Sequence, residues 1–170
     1  MNTGQMLITI SALMLLSTVI LNVNRNALTS SMNMSEAKYE ILAVSMGSAL
    51  IEEAFSKAFD EQTANNNLVE DLTELSTTLG PDGGETSRKV FDDFDDYDGY
   101  VDSTDFDTTV ISADLNIKSR VFYVDPDVSL DSVGSRTWHK KIVVYISSPF
   151  INEGRDTIVL SKINSHYYFR

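Results

Sequence analysis

The 170-residue chain carries 25 acidic and 13 basic side chains, no cysteine and two histidines. A net charge of −12 excludes nucleic acid as a partner, since phosphate binding needs clustered Lys and Arg. The missing cysteines exclude disulfide frameworks, thiolate zinc sites and thiol catalysis, and a metal here would be a hard cation such as calcium held by oxygen.

Residues 6–23 hold no charge, and 13 of the 18 are apolar, with Thr9, Ser11, Ser17, Thr18 and Asn22 as interruptions. As a helix this stretch spans roughly 27 Å, close to the thickness of a bilayer core. A cleaved secretory signal fits poorly, because residues 1–5 lack the basic n-region. Arg25, on the C-terminal side, would by the positive-inside rule keep the following domain in the cytoplasm. Residues 35–60 then show a helical period, with Ala37, Ile41, Val44, Ser48, Ile51, Phe55 and Ala58 on one face. Either Ser35 caps a second helix or one unbroken helix runs from about residue 5 to 60.

The charge is concentrated in one stretch: residues 60–107 carry 15 acidic groups against 2 basic, and both flanks are near neutral. Leu68, Leu72, Leu75 and Leu79 predict a short helix, stopped by Gly80 and Pro81. Eight aspartates follow between positions 92 and 107. Asp93, Asp95, Asp96, Asp98 and Asp102, on a segment that Gly99 lets turn, are the candidate calcium ligands, because a divalent cation relieves such like-charge repulsion. The frame is not an EF-hand, since Phe94 stands at its first position. The alternative is a solvated loop, or carboxylates that meet Lys and Arg of a neighbouring strand or subunit.

From residue 108 the period becomes two: Ile111, Ala113, Leu115 and Ile117 alternate with polar residues, and residues 138–148 and 157–169 read as further strands. Short connections predict an antiparallel meander of three or four strands. The fold class expected is α+β: a long N-terminal helix, hydrophobic in its first half, packed on a small antiparallel sheet. The motifs G-x-S-x-G, Walker A, G-x-G-x-x-G and H-E-x-x-H are all missing, and His139 and His166 sit in strand-like segments, so no enzyme is expected.

This layout, with Gly4-Gln5 ahead of MLITISALMLL, resembles type IV pilins and the related pseudopilins. The resemblance implies a leader, residues 1–4, cut after Gly4 by a prepilin peptidase so that Gln5 becomes the first mature residue. The residues themselves divide the rest into a long helix over 5–60, an acidic loop region with a short helix over 61–107 and an antiparallel sheet over 108–170. Two departures stand out: residues 1–4 carry no Lys or Arg, and the family's glutamate at the fifth mature position falls on Thr9. Counting from Met1 instead would place Gln5 there.

The implied function is that of a structural subunit that waits in the inner membrane and then joins an extracellular filament, a homopolymer built by the pilus assembly machinery. Leu7, Ile10, Leu13, Leu16 and Ile20 would pack between copies, and Lys140, Lys141 and Arg155 would meet a neighbour's acidic middle. The other readings are a single-pass membrane-anchored module with a calcium- or partner-binding loop, and a pseudopilin of a secretion machine.

Overall fold

The computed structural model describes residues 2–64, 68–103 and 114–166. Helix α1 (Thr3–Phe55) is unbroken, so Ser35 does not start a second helix and the Asn- and Ser-rich stretch before it stays helical. The helix contributes to two compact units, Met1–Lys38 and Tyr39–Arg170.

In the first unit nearly every described side chain is exposed. The hydroxyls of Thr9, Ser11 and Thr18 donate back to the carbonyl oxygens of Met6 (2.9 Å), Leu7 (2.8 Å) and Leu15 (2.8 Å). Three of the five polar interruptions of the apolar stretch are thereby satisfied within the helix itself, which suits apolar surroundings.

In the second unit α1 packs on a four-stranded antiparallel sheet of order β1-β2-β3-β4: β1 (Val101–Ser103), β2 (Asn116–Tyr123), β3 (His139–Ser147) and β4 (Thr157–Ser165). The α+β class and the antiparallel meander are therefore present. The first strand lies inside the region expected to be loop, and Ile111 and Ala113 lie outside the described residues.

The face that α1 buries is Ala43, Gly47, Leu50, Ile51 and Ala54. This corrects the sequence reading, which shares only Ile51 with it: Ile41 is 72% exposed, and Val44 and Ser48 are exposed as well. Small residues decide the outcome. An added Cβ at Gly47 would lie 2.6 Å from Ile146 Cδ1, so the sheet fills the space that a side chain at this position would need. The sheet answers with Ile117 and Val121 from β2 and Ile142, Val144 and Ile146 from β3.

Past Phe55 the chain turns, and Ala58 forms a parallel bridge with Asp93, through Ala58 N to Asp92 O (3.1 Å) and Phe94 N to Ala58 O (2.9 Å). This draws the aspartate-rich segment against the end of α1. Phe91, Phe94 and Tyr97 enter the core there, so the segment is not a solvated loop. The helix expected over the leucines is only a short turn at Leu72–Glu74, capped by Asp71, and α2 (Glu61–Ala64) precedes it.

Candidate functional site

Two features can carry function. The first is the apolar stretch of α1. Leu7 (66% exposed), Ile10, Leu13 (65%), Leu16 and Ile20 are all open, and nothing in the described chain covers them. The helix is long and apolar enough to cross a membrane. Gly4 and Gln5 lie in its first turn, where Gln5 N donates to Asn2 O at 2.9 Å.

The second is a charged centre buried under the sheet. β3 alternates, so Lys140 falls on the same row as Ile142, Val144 and Ile146 and points into the protein. Its ammonium has three donors and three acceptors: Asp60 Oδ2 (2.7 Å), Phe59 O (2.9 Å) and Asp95 Oδ1. The rings of Phe59 and Tyr123 close over it, with centroids 4.8 and 5.3 Å from Nζ. Lys140 and Asp60 are fully buried and Asp95 almost so.

The Asp60 carboxylate also accepts from Ser76 N, Ser76 Oγ (2.9 Å), Gln62 N (3.2 Å) and Tyr123 OH (3.4 Å). Burial works against its charge, but Lys140 and these donors outweigh that and hold its pKa below the usual carboxylate range. Asp95 is pushed the other way, to about 6, because burial outweighs its contact with Lys140. Asp93 is pushed up to about 8 by burial and by the neighbouring charges of Asp95 and Asp96. Its Oδ1 accepts from Asp95 N (2.8 Å) and Asp96 N (3.1 Å).

The five aspartates expected to gather round calcium are dispersed among other partners. Asp93 caps backbone amides, Asp95 faces Lys140, and Asp96 accepts from Asp92 N and Asp93 N. Asp98 accepts from Val121 N (2.9 Å) and Asp102 from Tyr100 OH (2.9 Å). Among the described residues, the carboxylates whose oxygens lie within 4.8 Å of one another are Glu85, Asp92 and Asp96. Only Asp96 belongs to the expected set. Desolvation, with Asp96 and Asp92 nearby, pushes Glu85 up to about 7.

The basic residues expected to meet a neighbour's acids separate as well. Lys140 is sealed inside, so it has no charge to offer a second subunit. Lys141 is half-buried and donates to Leu130 O (3.2 Å), while Arg155 is exposed and pairs with Glu153 (2.5 Å). Sequence reasoning missed Asp60 and Tyr123 altogether. Their link to Lys140 spans 80 and 17 positions, respectively, and no local motif marks it.

Comparisons with protein-family models, curated proteins and solved structures find no match for this chain.

Proposed function

We propose that the chain is a structural subunit of a type IV pilus-like extracellular filament, polymerising through the first half of α1. One observation carries this reading: a charge-free helical surface stays uncovered in one unit, while the other unit buries a complete core of its own. A solvent-exposed stretch of this size demands a lipid or protein cover.

Inner-membrane lipid supplies that cover before assembly, and neighbouring copies supply it afterwards. Covering the 13 apolar residues from water is worth on the order of 20 kcal/mol at ~1.5 kcal/mol each, and transfer from lipid recovers much less. The back-bonded hydroxyls of Thr9, Ser11 and Thr18 suit both surroundings. In the second unit Ile41 and Val44 are exposed and offer further apolar side chains to a neighbouring copy. Processing by a prepilin peptidase after Gly4 and assembly by pilus machinery belong to the same proposal.

Shearing cells that express the chain, imaging the released fraction by electron microscopy and reading its N-terminal peptide by mass spectrometry tests the reading. Thin filaments of this chain support it, and the peptide shows whether the subunit begins at Gln5 or Met1. Retention of the whole chain in membranes, with none in the sheared fraction, overturns it in favour of an anchored module.

A further inference from the structure

The filament reading makes no use of the buried lysine centre. We propose that Lys140 Nζ and Asp95 Cγ join in an intramolecular amide bond, with Asp60 and Asp93 carrying the protons. This inference does not depend on the filament reading.

The geometry supplies what such a condensation needs. A primary amine and a carboxyl are held in contact, each with almost no exposure to solvent. Fixed contact replaces a bimolecular encounter, for which effective molarities reach roughly 10⁵–10⁸ M. Sealing by Phe59 and Tyr123 keeps out the water that would favour hydrolysis.

The two carboxyls beside the amine are not equivalent. Asp60 is anchored as an anion by Ser76, Gln62 and Tyr123, which makes it a poor electrophile, while Oδ2, 2.7 Å from Nζ, is placed to relay a proton. Among the described residues Asp95 has no such cage of donors, and burial raises its pKa to about 6, so its carboxylate takes up a proton more readily than Asp60 when the amine attacks. Asp93, whose Oδ1 accepts from Asp95 N at 2.8 Å, is pushed up to about 8 and carries a proton at neutral pH.

The step balances without any co-reactant. Nζ forms a bond to Asp95 Cγ, and one carboxyl C–O bond breaks. Nζ gives up two protons along its hydrogen bonds to Asp60 Oδ2 and Asp95 Oδ1, and both end on the departing oxygen; a proton that Asp93 lends to that oxygen is returned, so both carriers regain their starting states. An ammonium and a carboxylate thus become one amide and one water, with no change of oxidation state. The product ties β3 to the turn at Asp95, 45 positions away in the chain, and replaces a desolvated ion pair by a neutral group.

Mass spectrometry of the full chain, extracted in detergent and denatured, tests this directly. We expect a tryptic species joining residues 90–118 to residues 137–141, lighter by one water than the two peptides together, with the fragment ions placing the link on Asp95 and Lys140. Because the readout is at the peptide level, N-terminal processing does not affect it. The species should vanish in Asp95→Ala and in Lys140→Arg, and its yield should fall in Asp93→Asn. Free peptides alone from the folded wild-type chain overturn the proposal, as does a link placed on Asp60. The wild-type digest decides the matter even where a variant fails to fold.

Discussion

The ammonium of Lys140 lies 2.7 Å from Asp60 Oδ2, and neither side chain reaches solvent. Removing one member of such a pair leaves the other charge desolvated and unmatched. Lys140→Met is therefore expected to cost about 3–5 kcal/mol. Lys141→Met, next in sequence but half-exposed, should stay within about 0.5 kcal/mol. Denaturant titration of the detergent-solubilised chain separates the two, and equal small effects would show that the buried centre contributes nothing.

Gly47 faces the sheet closely, with Ile146 Cδ1 and Leu160 Cδ1 lying 2.6 and 2.8 Å from where a Cβ would sit. Both atoms are the free ends of side chains. Gly47→Ala should thus be close to neutral, because a gain of about 1 kcal/mol in helix propensity offsets a small rearrangement. Gly47→Leu overfills the site and should cost about 1–3 kcal/mol by the same titration. A stabilising leucine would mean that the helix does not dock here.

Glu85 gives the chain a pH dependence with a definite sign. Its carboxyl is raised from 4.5 to about 7 by desolvation and by Asp96 and Asp92, so the folded state binds its proton more tightly than the unfolded state. The stability this provides is complete below pH 4.5 and is lost as pH rises through about 7. Glu53 has the opposite sign: hydrogen bonds from Arg88 lower its pKa, so its contribution is lost as pH falls. Glu85→Gln should therefore raise the melting temperature relative to wild type above pH 7 and lose that advantage near pH 4. Parallel curves for the two proteins across this range would remove Glu85 as the cause.

Much of this architecture can be read from local pattern, because a period of two or of 3.6 is itself the geometry of a strand or a helix. Residues 138–148, expected as a strand, contain β3 at His139–Ser147, and residues 157–169 contain β4 at Thr157–Ser165. The same alternation places Lys140 in phase with Ile142, Val144 and Ile146, so its burial was legible where charge alone suggested a surface. Aromatics at Phe91, Phe94, Tyr97 and Tyr100 recur every third residue, and Phe91 and Tyr97 meet edge to face at 5.2 Å. That spacing marks a segment that packs, although its five aspartates dominate any composition count. What no local pattern holds is which distant carboxylates receive Lys140, since the Ala58–Asp93 bridge that delivers them is a tertiary contact. The buried face of α1 was misread for a related reason: apolar spacing favours Ile41 and Val44, whereas close docking selects Ala43, Gly47 and Ala54.

In the proposed filament, with Lys140 enclosed, electrostatic contacts between copies would fall to the exposed Arg155 and the half-exposed Lys141. The acids that would face them in a neighbouring copy are ones at the surface, such as Asp71, Glu74 and Asp82, because Asp60, Asp93, Asp95 and Asp96 are buried. Exposed pairs contribute about 0.2–1 kcal/mol each, so they tune register and yield without driving polymerisation. The double substitution Lys141→Glu and Arg155→Glu should reduce the sheared filament fraction by up to about tenfold, equivalent to about 1.4 kcal/mol per added subunit, with little change in the chain's own melting temperature. The deficit should also shrink as salt is raised, since screening removes the repulsion that the new glutamates create. Undiminished filament yield at low salt would show that assembly rests on the apolar helix alone.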